Sequence, residues 1–208
     1  MKRMFLGTVV IVFFATFNLF AQDEATAPVF KDGDYWQFKA VESGSVGSSS
    51  NALNGIYELF YSGGKFGVFY VEGNTKQELD DARYGWLLHL LGKSRSLPDL
   101  KFPLSVGKKW DYQHRSRSYG SARDSLRSVQ ISVTGIERVT TPSGTFRAFK
   151  LQKDDRAAGN DFWITTYYYS PETGSIVKSS ADFSSGTGAG TQREIELIKF
   201  GSVGSSTK

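Results

Sequence analysis

From Tyr35 to Glu42 the chain alternates, with Trp36, Phe38 and Ala40 on one side and Gln37 and Lys39 on the other, which is the signature of a half-buried strand. After a Ser/Gly-rich stretch from Ser43 to Asn54, two β-rich runs, Ile56 to Tyr61 and Lys65 to Val71, flank Ser62-Gly63-Gly64. Glycines supply the positive φ angles of a tight turn, so these runs predict a hairpin. The period then changes. Leu79, Ala82, Trp86, Leu87, Leu90 and Leu91 recur at helical spacing, with Asp80 or Asp81 to cap the start and Gly92 to end it, and predict one short amphipathic helix. Pro and Gly in Phe102 to Trp110 mark a turn before a strand from Trp110 to Arg117. Leu126 to Val139, with Val129, Ile131 and Val133 in strict alternation, folds back at Thr141 to Phe146 into Phe149 and Leu151. Phe162 to Tyr169, the turn Ser170 to Gly174, and Ile176 to Phe183 form another hairpin-like unit, and Arg193 to Phe200 is the last predicted strand. Eight or nine strands joined in sequence predict a mainly β fold, an antiparallel meander curled into a half-barrel or barrel, with the helix over its open face.

The first 21 residues carry Lys2-Arg3, an apolar stretch from Met4 to Phe20 and Ala21 at the end, the layout of a secretory signal peptide. The expected organisation is a signal peptide over 1–21, one β domain over 22–200 and a flexible Ser/Gly tail over 201–208. No Cys follows the apolar stretch, so the thiol that lipoproteins acylate is missing, and the expected location is the periplasm or the outside of the cell. Loss of Lys2 and Arg3, with no acid lost, lowers the formal charge from +4 to +2. That is too little for a surface that tracks nucleic-acid phosphates; Arg115, Arg117, Arg123 and Arg127 read as a solvated strand face or loop.

Absence of Cys also excludes thiolate catalysis and Cys-ligated metals, and only His89 and His114 are left for imidazole chemistry. His89 falls beside the apolar face of the helix and reads as a core-edge residue; His114, among Gln113 and Arg115, reads as solvent-facing. Gly92-Lys93-Ser94 resembles the end of a phosphate-binding loop, but Leu87 stands where that loop needs Gly. Asp154, Asp155, Asn160 and Asp161 crowd a predicted turn without calcium-loop spacing, and no acid interrupts an apolar strand. No enzyme, cofactor or metal is therefore expected. The aromatic strand carries more: Trp163, Tyr167 and Tyr169 project one way and Phe162, Ile164 and Tyr168 the other, so both faces are expected to be covered. The core would cover one face, and the helix, a second sheet or a ligand the other. The candidate ligand-binding residues are Trp86, Leu90, Trp163, Tyr167 and Tyr169, for an acyl chain, another lipid or a glycan.

Phe102 to Trp110 (FPLSVGKKW), Thr141 to Phe146 (TPSGTF) and Tyr167 to Lys178 (YYYSPETGSIVK) resemble, in order and spacing, a family of secreted Gram-negative β-proteins of unknown function called TapB-like. That family is similar in architecture to the Lol-type lipoprotein-carrier half-barrels. The resemblance implies the fold and the exported compartment and carries over no catalytic residue. The leading expectation is a non-catalytic exported module holding an apolar or amphipathic ligand on a curved sheet. The alternative is a structural or interaction protein of the cell envelope, docking through strand edges or Ser/Gly loops. An outer-membrane barrel ending at Arg193 to Phe200 fits less well, because eight residues follow that Phe.

Overall fold

Alternation gives the long extended runs an apolar face, and with one short polar edge strand they are joined into a single ten-stranded antiparallel sheet. The computed structural model describes residues 24–44, 54–80, 84–94, 98–117, 124–157, 161–184 and 190–203. The strands are β1 (Glu24–Ala25), β2 (Asp34–Gly44), β3 (Gly55–Ser62), β4 (Lys65–Glu72), β5 (Thr75–Glu78), β6 (Leu104–Ser105), β7 (Lys109–Arg117), β8 (Asp124–Thr141), β9 (Gly144–Ala157), β10 (Phe162–Ser170), β11 (Ser175–Ser184) and β12 (Gly190–Ser202). A 3₁₀ helix, Gly85–Leu91, lies between β5 and β6.

The order across the sheet is β5-β4-β3-β2-β12-β11-β10-β9-β8-β7, and β1 pairs separately with β6. The fold is the expected mainly β meander in its half-barrel form. It is not a closed barrel, since β5 and β7 are the two edges, and the main sheet has ten strands rather than eight or nine. The added strand, β5, is four residues, all exposed, and was not legible; nor were β1 and β6, two residues each, which pair outside the main sheet. β12 runs through Ser202, two residues into the stretch expected to be a tail, because β2 begins at Asp34 and pairs with it.

The predicted hairpin between β3 and β4 turns on Gly63 and Gly64 at φ 56° and 78°, the pair of positive values that a two-residue turn with the twist of its strands requires. The topology then forces a long crossing. β5 ends at one edge of the sheet and β7 forms the other, so the connection between them must traverse the concave face. It carries the helix with it, against β11 and β4.

That helix is shorter and tighter than the expected amphipathic one. It starts at Tyr84 without a side-chain cap, so Asp80 does not serve as one, and Asp81 lies outside the described residues. It stops at Gly92, in the left-handed conformation at φ 67°, as its position suggested. In a 3₁₀ turn residues three apart eclipse, which stacks Leu87 over Leu90. Both, with Leu91, are at most 1% exposed and join Phe38, Leu59, Phe149, Leu151, Tyr169 and Leu197 in one core.

Candidate functional site

The apolar residues of β8 fix which positions face inward. Val129, Ile131 and Val133 are buried, so Arg127, on the same parity, must point into the half-barrel, while Leu126 is left outside at 51% exposure. In β7, Trp110 does the same for Tyr112 and His114, and in β9, Leu151 does it for Lys153 and Asp155. Register then sets these groups side by side: His114 pairs with Arg127, Val129 with Asp155, and Lys153 with Thr165 of β10. A band of charge therefore crosses the concave face of a mostly apolar interior.

Two arrangements neutralise it. In the first, Asp99, carried on the connection between the helix and β6 and 1% exposed, receives Lys153 Nζ on both carboxylate oxygens at 3.0 Å, Tyr112 Oη at 2.5 Å and Tyr167 Oη at 2.9 Å. Pro98 O beside it accepts from Trp110 Nε1 at 3.2 Å. In the second, Arg127 Nε donates to Asp155 Oδ1 at 2.5 Å and Nη2 to the Asp155 carbonyl at 3.0 Å. His114 Nε2 stands 3.5 Å from Asp155 Oδ2 and, buried, makes no hydrogen bond among the described residues.

Burial alone would raise the Asp99 pKa, but the charges of Lys153 and His89 and the hydrogen bonds from Tyr112 and Lys153 outweigh it and hold the carboxyl below its ordinary range. Burial and the Asp99 charge push Tyr112 and Tyr167 upward, so both remain neutral donors. Each of these three shifts runs away from neutral pH, so Asp99 stays ionised and the two tyrosines stay neutral there. The network's contribution to stability is complete above the unfolded-state carboxylate value, about pH 3.9. It is lost as the pH falls through the lower folded value. In Lys153→Met burial acts on Asp99 without the ammonium that offsets it, so the carboxyl should move up rather than down; the stability deficit of the variant should be largest at neutral pH and shrink below about pH 4, which urea unfolding of both proteins at pH 7 and at about pH 3 checks.

These positions correct several expectations. His114 faces inward, not to solvent, and Arg127 is 5% exposed rather than part of a solvated face. The side chains of Arg117 and Arg123 lie outside the described residues. His89 is 5% exposed with its ring 5.7 Å from Tyr167, inside the core rather than at its edge. Asp154 and Asp155 lie within β9 rather than in a turn, so alternation sends them to opposite faces, Asp154 to Arg156 at 2.7 Å and Asp155 to Arg127. Asn160 lies outside the described residues; among those described, no cluster of three or more His, Asp or Glu could hold a metal.

The five candidate ligand residues separate. Leu90, Tyr167 and Tyr169 are 0%, 4% and 0% exposed and pack in the core, Tyr169 edge-on to Phe102 at 5.2 Å. The Trp86 side chain lies outside the described residues. Trp163, on the same face of β10 but nearer the end of the strand, is half-buried. Its ring lies 4.8 Å from Phe183, its direct partner on β11, and the Arg193 guanidinium sits 5.2 Å over it. Arg193 is held in turn by Glu42, with Nε 2.8 Å from Oε2. Beyond Glu42, Tyr57 meets Tyr70 at 5.6 Å and Tyr84 at 6.5 Å. Burial, followed by Tyr84 and Tyr70, raises the Tyr57 pKa. Exposure thus increases along β10 from Tyr169 to Trp163, and the half-buried end is an aromatic platform with an ion pair set on it. Of the covers expected for the two faces of β10, the helix lies on the Tyr167 side, where its His89 ring meets Tyr167. On the opposite face cross-strand cations lie over the rings: Lys150 over Tyr168 and Arg156 over Phe162, both at 5.8 Å.

No family model matches the sequence, and no curated protein is similar to it. Among solved structures, the fold is similar to the hypothetical lipoprotein YmcC of Escherichia coli, at 10% identity and a TM-score of 0.38, over 83% of this chain and 91% of that one. A protein of Bacteroides fragilis described as exported, with a YmcC-like fold, matches at 11% identity and a TM-score of 0.36, over 85% of this chain and 99% of that one. A Parabacteroides distasonis protein described as a lipoprotein matches at 12% and 0.33, over 85% and 99%.

Proposed function

We propose that this is an exported, non-catalytic envelope protein that holds an amphipathic ligand at the Trp163 end of its concave sheet. The observation that carries the reading is the half-buried pairing of Trp163 and Phe183 with the Arg193–Glu42 ion pair on top. Flat aromatic surface supplies contact area at little entropic cost, and a held guanidinium supplies direction. The signal-peptide layout of residues 1–21 supports export, and the missing Cys supports a form without a lipid anchor. The TapB-like resemblance, with its likeness to lipoprotein carriers, supports a lipid or acyl chain as ligand; a glycan is the other class the platform suits. The deep residues Leu90, Tyr167 and Tyr169 then support the site from below without touching the ligand.

The protein purified from its host without detergent should carry a lipid-sized or glycan-sized adduct in native mass spectrometry. Trp163→Ala should lose that adduct while costing less stability than truncation of a core residue, because Trp163 stands outside the core cluster. An adduct retained in full by Trp163→Ala would sink the reading.

The open edges favour a second reading, an envelope interaction protein. β7 offers nine residues with no partner on one side among the described strands, and its outward residues Asp111, Gln113 and Arg115 are exposed and polar. A stable envelope complex that survives Trp163→Ala but not a proline placed in β7 would favour it over ligand binding.

A further inference from the structure

The outward face of the sheet carries a feature that neither the ion network nor the Trp163 platform uses. Between β2, β3, β4, β5 and β12 lies a half-open hollow of about 400 Å³, within the size range of small-ligand sites. Its floor is aromatic, from Tyr35, Phe60 and Phe69, where an outward face is ordinarily polar. Glu58 lies among them with its side chain only 3% exposed. Gln37 Nε2 at 2.8 Å and Lys76 Nζ at 2.5 Å satisfy its carboxylate, so this acid is neutralised within the wall.

The remaining charge in the hollow is Lys199. It is exposed, and its ammonium lies 5.7 Å over the Tyr35 ring, with no carboxylate paired to it among the described residues. A cation entering the hollow would meet Lys76 and Lys199 while the one acid is already engaged. A neutral amphiphile would gain the floor but nothing from Lys199. A monoanion gains both, and a single unmatched ammonium fits a single negative charge.

We propose that this hollow binds a small amphipathic carboxylate, its apolar body on Phe60 and Phe69 and its carboxylate on the Lys199 ammonium. The site is separate from the Trp163 platform, on the other face of the sheet, and does not depend on it.

Calorimetric titration of the protein with octanoate, octanol and octylammonium tests the head group at constant chain length. Octanoate should bind saturably and more tightly than the other two. Lys199→Gln, at an exposed position, should weaken octanoate about tenfold and abolish the preference for the anion, Lys199→Arg should restore it, and Trp163→Ala should leave it unchanged. Absence of saturable octanoate binding, equal affinity for the three head groups, full affinity in Lys199→Gln, or loss of binding in Trp163→Ala would each overturn the proposal.

Discussion

Asp99→Ala should destabilise the fold by about 3–5 kcal/mol, the range for removing one partner of a buried ion pair. The side chain is 1% exposed and accepts from three residues carried by three different strands, Tyr112 on β7, Lys153 on β9 and Tyr167 on β10. Its loss strands the buried Lys153 ammonium, the buried Tyr167 hydroxyl and the part-buried Tyr112 hydroxyl together, and it releases the connection that crosses the concave face. Most of the penalty comes from the uncompensated charge, so Asp99→Ala with Lys153→Met should recover much of the loss, as replacement of a buried pair by apolar groups does. Urea unfolding of the two single variants and the double variant measures the coupling. A loss below about 1 kcal/mol for Asp99→Ala would place the pair among surface ion pairs in its worth and contradict the buried network.

Leu90→Ala should cost about 2–5 kcal/mol, as full truncations in a packed core do. Leu90 is 0% exposed and stacks with Leu87 inside the core. A helix that opened to admit a ligand could not be so tightly bound into the core, because segments that move are drawn from the least stable parts of a fold. That result would make the helix a permanent lid. If Leu90→Ala costs under about 1 kcal/mol yet changes ligand retention, the helix is a gate and the ligand lies beneath it.

The strands were legible wherever apolar alternation was uninterrupted. Trp36, Phe38 and Ala40 fixed β2, and Val129, Ile131 and Val133 fixed β8, because period two has one interpretation when one face is buried. The same parity contained the ion network. Arg127 stands two residues from Val129, and His114 four from Trp110, both on the inward register, but a charged residue in a polar stretch reads as solvated unless its partner is known. The partners come from β9 and from the crossing connection, at separations of 28 residues for Arg127 with Asp155 and 54 for Lys153 with Asp99, which no local pattern reports. Asp99 gives no signal at all, since it follows Pro98 in an irregular segment. The aromatic face of β10 was read correctly as to direction, but not as to depth. Alternation shows that Trp163, Tyr167 and Tyr169 share a face, while the crossing connection and the helix decide that Tyr167 and Tyr169 are sealed and Trp163 is not.

The most direct test of the Trp163 platform is a crystal structure of the protein purified from its host without detergent or added ligand. The account predicts continuous density from an unassigned molecule against the Trp163 and Phe183 rings, with a polar group directed at Arg193. The Arg193–Glu42 pair closed over both rings, with no density beyond it and no space left for a molecule, would contradict it.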